Sequence, residues 1–160
     1  MKIELGARTL ETVALYFAKA QQQIIKAALP QKAATLEEAL SDYQDTLQQN
    51  ATSYGRTINV DGVYVGDVWC YCIDKIETPN AMLSYCVFDT SYWNKGIATA
   101  AVSLFLSEIA KKFTLSTIGA FTFSDNYASI KVLINNGFTL VEEFCEDGRM
   151  SQYLQYAFNA

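Results

Sequence analysis

The chain has 160 residues, 51% of them apolar, with 17 Asp and Glu against 12 Lys and Arg, a net charge of −5 and no His. That length suits one domain around a single core, and the apolar content excludes disorder. The acidic balance, with no basic run longer than Lys111-Lys112, argues against nonspecific nucleic-acid binding. No apolar run is long enough to span a membrane, and Met1-Lys2-Ile3-Glu4 does not open a signal peptide, so a soluble cytoplasmic protein is expected.

Residues 3 to 9 fit a first edge strand. Glu11 to Ala28 reads as a helix, with Val13, Phe17, Ile24 and Ala28 on one stripe, and Leu29-Pro30 breaks it. Thr35 followed by Glu38 is a capping box that starts a second amphipathic helix, with Leu36, Leu40, Tyr43 and Leu47 facing inward. The pattern changes at Thr52. Tyr54 to Val60 and the long apolar run Val63 to Ile73 are strands joined at Asp61-Gly62, a strong hairpin turn. Asp67 interrupts the second strand, on the face shared with Val65 and Trp69. Ala81 to Phe88 is a third strand. A helix then runs from Gly96 to Lys112, with Ala98, Ala101, Val102, Phe105 and Ile109 buried. Thr114 to Phe123 is a strand, a short helix spans 126 to 136 with a left-handed cap at Asn136-Gly137, and Phe138 to Phe144 and Gln152 to Phe158 are strands joined at Asp147-Gly148. The order β-α-α-β-β-β-α-β-α-β-β implies an α/β (α+β) fold: a central mixed sheet, mostly antiparallel, of about seven strands with helices on both faces.

Without histidine, Ser-His-Asp and Cys-His catalysis are ruled out, and a zinc or non-haem iron site is not expected. Cys70-x-Cys72 lies within a strand, which places both thiols on one face. The spacing does not suit zinc, and all four cysteines (70, 72, 86 and 145) are expected to be buried structural thiols.

The stretch from Tyr92 to Ala101 links a strand to a helix. Gly96 and the small residues after it would let an anion approach the backbone where a helix N-terminus offers unpaired N–H groups and a positive dipole end. An ordinary loop, kept small so that the helix lies close to the sheet, fits the same residues.

Together, Tyr92-Trp93-Asn94-Lys95-Gly96-Ile97-Ala98-Thr99, Asn126-Tyr127-Ala128-Ser129 followed by Asn136-Gly137-Phe138, and the element order resemble the GNAT superfamily of N-acetyltransferases. The similarity is nearest to the RimJ/RimL-like branch, which acetylates ribosomal-protein N-termini, and it covers most of the chain as a single GNAT-like domain, residues 1–160. The resemblance implies acetyl-CoA as cosubstrate, no metal, and a primary amine as acceptor. The family pattern Q/R-x-x-G-x-G/A maps onto Trp93 to Ala98, so the backbone of Asn94, Lys95, Gly96, Ile97, Ala98 and Thr99 would hold the pyrophosphate. Trp93 stands where Gln or Arg is usual in the wider superfamily, although Trp is ordinary in this branch, and Asn94 replaces a frequent Gly, so Asn94 must adopt a conformation Asn tolerates.

By the same resemblance, Val87 and Phe88 would offer backbone groups to the pantetheine arm, and a backbone N–H would face the thioester oxygen. Asn126 would contact the cofactor or simply cap the helix. Ser129 would be the general acid toward the departing thiolate or a solvated first-turn serine, with Tyr127 behind it. The base is less defined: Asp67, Asp74, Glu77 and Asp89 are the nearby acids, and Met82 or Leu83 stands where relatives often carry Glu. Asp67 is the first to test, because a carboxylate inside an apolar strand is costly unless it is paired or functional. The expected reaction is direct amine attack in a ternary complex, by a monomer or homodimer that binds neither nucleic acid nor membrane. A non-catalytic acyl-CoA sensor is the alternative, and a nucleotide-binding phosphate turn is a weaker rival.

Overall fold

The computed structural model describes residues 1–158. Seven strands and five α-helices follow in the order β1 (Ile3–Ala7), α1 (Leu10–Lys19), α2 (Gln23–Ala28), α3 (Leu36–Asp45), β2 (Tyr54–Val60), β3 (Val63–Asp74), β4 (Asn80–Val87), α4 (Ile97–Lys112), β5 (Thr117–Phe123), α5 (Tyr127–Asn135), β6 (Thr139–Glu146) and β7 (Arg149–Ala157), with a 3₁₀ turn at Thr90–Tyr92. The strands form one sheet in the order β1-β2-β3-β4-β5-β7-β6. Every pairing is antiparallel except β4 with β5. Both hairpin turns form as expected: Asp61-Gly62 and Asp147-Gly148 have positive φ throughout, the backbone twist of a type I′ turn.

The two faces of the sheet carry different helices. Val68, Cys70, Leu83 and Val87 pack with Ile97, Phe105 and Ile109 of α4 and Leu133 of α5 in the main core. On the opposite face Cys86 and Phe88 pack with Ala20 and Ile25 at the ends of α1 and α2, flanked by Tyr16, Tyr64, Trp69 and Trp93. Helix α4 is the structural spine, with six residues buried.

Local features depart from the sequence pattern. The first helical stretch is two helices, broken at 20–22, because Ala20 tucks fully into the second core. Helix α3 buries no residue, and Leu47 lies beyond its end with 66% of its surface exposed. Thr35 caps α3 by accepting the Glu38 N–H at 3.1 Å, while Glu38 accepts from Ala34 rather than closing the box on Thr35. In β3 the register slips between Ile58 and Asn59, which pair with Gly66 and Tyr64 and leave Val65 as the extra residue. This bulge puts Val65 in the main core, so Asp67 shares a face with Trp69 but not with Val65. A second irregularity between Tyr71 and Asp74 carries Cys72 at φ 52, which turns it away from Cys70: Cys70 and Cys86 are buried, whereas Cys72 and Cys145 are exposed. The uniform burial expected of the four thiols is therefore corrected.

Helix α4 makes the parallel crossover from β4 to β5. Helix α5 instead leads from β5 to β6, which runs in the same direction as β5 but pairs with β7 between them.

Candidate active site

Among the described residues the one parallel pairing is short. Strands β4 and β5 pair only at Asn80–Thr117, Ala81–Ile118 and Met82–Gly119. Beyond Met82 and Gly119 they separate, so from Leu83 to Val87 one edge of β4 faces a gap in the sheet. The Phe88 N–H donates to the Val65 carbonyl at 2.9 Å. Hydrogen-bonding direction alternates along a strand, so the even-numbered residues of this stretch face β3 and the odd-numbered ones, Tyr85 and Val87, face the gap. The Val87 carbonyl confirms the parity: it accepts the indole Nε1–H of Trp93 at 2.7 Å, away from β3.

This overturns the expected role of Phe88. Its N–H is taken by Val65, its carbonyl accepts from the Gln22 amide at 3.3 Å, and its ring is core at 4% exposure. Val87 retains its N–H for the gap but not its carbonyl.

At the mouth of the gap, the 3₁₀ turn is capped by Asp89, whose carboxylate accepts from the Ser91 N–H at 3.0 Å and its hydroxyl at 2.6 Å. Asn94 sits at φ 60, the left-handed conformation Asn tolerates, and Gly96 follows at φ 78 as the N-cap of α4 without a side-chain cap. The first intrahelical bond runs from the Ala100 N–H to the Gly96 carbonyl. The N–H groups of Ile97, Ala98 and Thr99 thus lie at an uncapped helix end, beside the exposed Asn94, Lys95 and Gly96. No atom lies within 4 Å of where a Gly96 Cβ would stand. This end of α4 is also braced from behind, because the Asn136 amide donates to the carbonyls of Thr99 (3.1 Å) and Val132 (2.9 Å).

Across the gap lies the first turn of α5. Asn126 is the N-cap, accepting the Ser129 N–H on Oδ1 at 3.2 Å, so the capping role holds for it. The Ser129 hydroxyl lies 2.7 Å from the Tyr85 hydroxyl, which also donates to the Ser129 carbonyl at 3.2 Å. A side chain of β4 therefore spans to α5 at the level where the strands have parted. Tyr127 is 77% exposed and makes no such contact.

Asp67 lies beneath α1, away from this edge. At 2% exposure it accepts the Tyr64 hydroxyl at 2.6 Å on one oxygen and faces Arg8 Nε at 3.2 Å with the other. The Arg8 contact is an ion pair rather than a directed hydrogen bond. Burial pushes the Asp67 carboxyl above the ordinary carboxylate range, against the pull of Arg8 and Tyr64. Asp74 and Asp89 are both held low, Asp74 by the N–H groups of its own turn and Asp89 by Ser91. At the far end of the sheet, Arg149 lies 3.4 Å over the Phe123 ring, pairs with Asp125 at 3.3 Å and donates to the Ala27 carbonyl at 3.2 Å, which fastens α2 to β5 and β7. Sequence patterns gave no warning of this contact or of the Tyr85 contact. The available hint for Tyr85 was a phenol at an inward strand position, which needs a hydroxyl partner.

A mixed sheet parted at its one parallel junction among the described residues thus has a glycine turn and an uncapped helix at its mouth. The profile of the Acetyltransferase (GNAT) domain matches residues 5–139, and the chain belongs to that family. No curated protein sequence matches the chain. Among solved structures, RimL, a ribosomal L7/L12 alpha-N-protein acetyltransferase in complex with coenzyme A, superposes with a TM-score of 0.81 at 20% identity, covering 98% of this chain and 94% of that one. Mycobacterium smegmatis RimJ gives 0.83 at 20% identity, covering 97% and 81%. The aminoglycoside acetyltransferase AAC(6')-Ib in complex with coenzyme A gives 0.80 at 13% identity, covering 98% and 95%. At these identities the superpositions establish the fold. Among the described residues no helix is long and apolar enough to cross a membrane.

Proposed function

We propose that the protein transfers the acetyl group of acetyl-CoA to a primary amine by direct attack in a ternary complex. The observation that carries this reading is the gap between β4 and β5, with an uncapped helix N-terminus at its mouth and Ser129 across from it. The N–H groups of Lys95, Gly96, Ile97, Ala98 and Thr99 would cradle the pyrophosphate. From there the pantetheine arm runs into the gap toward its narrow end at Met82 and Gly119. It passes Val87 first and Tyr85 second, so the Val87 N–H serves the arm and the Tyr85 N–H meets the thioester oxygen. This moves the oxyanion contact from Phe88, whose N–H is bonded toward β3, to Tyr85, the gap-facing residue next beyond Val87.

In the reaction the amine nitrogen attacks the thioester carbonyl carbon, the C–S bond breaks and its electron pair goes to sulfur. Ser129 gives its hydroxyl proton to sulfur and regains one from water. The nitrogen loses its surplus proton to water, so one proton moves in net from nitrogen to sulfur. Asp67, enclosed by Tyr64 and Arg8, is assigned a structural role, and water is assigned that of the base. The likeness to RimL and RimJ and the shared motifs favour a protein N-terminus as acceptor, and the net charge of −5 favours a cationic one. Cytoplasmic residence accords with that acceptor.

The test combines calorimetry with acetyl-CoA and release of free thiol with a panel of N-terminal peptides, aminoglycosides and polyamines. Binding with turnover on at least one amine is the expected result. Binding without turnover on any would support the sensor reading, and neither binding nor turnover would overturn both.

A further inference from the structure

We infer that the Tyr85 side chain is a positioning residue, which holds the Ser129 hydroxyl so that its proton is directed at the leaving sulfur. The inference rests on the acetyl-transfer reading above and adds a second residue to its acid.

Ser129 is the third residue after the N-cap of α5, and its N–H is held by Asn126. The backbone is thereby fixed, but a serine hydroxyl can still occupy more than one staggered position and spin about its own bond. Among the described residues the Tyr85 hydroxyl, at 2.7 Å, is the one hydrogen-bond partner of Ser129 Oγ. Tyr85 is itself anchored, since its strand is paired to β3 and its ring packs against the main core.

Tyr85 carries one hydroxyl proton and has two acceptors within reach, the Ser129 Oγ and the Ser129 carbonyl. When it donates to the carbonyl, the Ser129 proton turns back toward the Tyr85 oxygen. When it donates to Oγ, the Ser129 proton is free to point away, toward the thiolate. Negative charge on sulfur favours the second pattern, so the contact is restful before reaction and directive during it. No proton leaves Tyr85. Burial pushes its phenol up to about 12, which keeps it a donor over the whole working pH range.

The experiment is a double-mutant cycle of Tyr85→Phe and Ser129→Ala, with thiol release measured on the best amine of the panel and CoA affinity by calorimetry. Y85F should lower kcat about 10-fold to 100-fold, with the Kd for CoA within about two-fold of wild type. In the S129A background Y85F should cost nothing further. The inference is overturned if Y85F turns over like wild type, if its loss persists undiminished in S129A, or if CoA affinity falls as far as kcat, which marks a plain structural tie. It is also overturned if S129A keeps most of its turnover while Y85F does not, which makes Tyr85 the acid. A wild-type protein that neither binds CoA nor releases thiol removes the acetyl-transfer reading itself, a result separate from all of these. Melting is followed for each variant, and Tyr85→Met, which fills the site without a hydroxyl, repeats the comparison should Y85F fold poorly.

Discussion

Asp67 shows how far a single residue can be read from sequence and where the reading stops. A lone carboxylate in an apolar strand signals either a partner or a function, and the signal cannot choose between them. The partners come from 59 positions upstream and three upstream, Arg8 and Tyr64, and only the fold brings Arg8 there. Replacing Asp67 with Asn leaves a largely buried guanidinium without its counter-charge. We expect a loss of about 3 kcal/mol, or a fall in melting temperature of about 10 °C, with turnover per folded molecule within about three-fold of wild type. Normal melting with turnover down a hundred-fold would return Asp67 to the role of base.

Gly96 makes the contrasting case, because its place at the start of α4 was legible. Its φ of 78 disfavours a side chain although the space around it is open. Gly96→Ala should therefore cost about 1 kcal/mol through backbone strain alone, and a Cβ there would also crowd the proposed pyrophosphate. The expected outcome is CoA affinity at least five-fold weaker by calorimetry with a modest drop in melting temperature. Unchanged affinity would remove the turn from the cofactor site.

At the scale of elements, strands and hairpins were legible because period-two patterns and Asp-Gly turns are local. The β3 bulge at Val65 was not, since one extra residue in a strand leaves no mark on composition but exchanges the faces of everything on one side of it. The same blindness affected β4: the sequence named Val87 and Phe88 together without their parity, whereas Tyr85 and Val87 face the gap. Trp93 ties down the end of this strand by binding the Val87 carbonyl. Replacing Trp93 with Phe keeps most of the packing and removes the indole N–H, leaving a buried carbonyl unpaired at a cost of about 1 to 3 kcal/mol. The variant should melt lower and bind CoA more weakly, both within the one strand end. Equal stability in W93F would mean that water or another donor replaces the indole without penalty.

Across the whole molecule, the fold class and the family were legible together, because two short motifs coincide with an element order that restricts topology strongly. The interlocks were not: Arg149 to Ala27 and Asn136 to Thr99 join segments distant in sequence by single hydrogen bonds that no periodicity records. The buried acids set a limit on alkaline stability. Burial pushes the thiol of Cys86 up to about 11, and those of Cys70 and the Tyr85 phenol up to about 12. In the unfolded chain these groups release their protons near 9 for Cys and 10 for Tyr. Between those values the unfolded state binds fewer protons than the folded one, so unfolding free energy falls as pH rises, by up to about 1.4 kcal/mol per pH unit for each group. Melting temperature under reducing conditions should decline steeply above about pH 9. A flat profile to pH 11 would show that these groups are not sealed from solvent.

The three-residue junction between β4 and β5 divides the sheet into two leaves, β1 to β4 and β5-β7-β6. Little backbone bonding joins the leaves, so their relative angle is set chiefly by α4, the Tyr85–Ser129 tie and the Arg149 clasp. A ligand whose amides bond to the free edge of β4 acts as a surrogate strand and joins the leaves as one plate. Acetyl-CoA would then be part of the architecture as well as the acetyl donor. Hydrogen exchange should slow at the Tyr85 and Val87 amides when it binds, and the stiffening should extend through β5 to β7, which it need not touch.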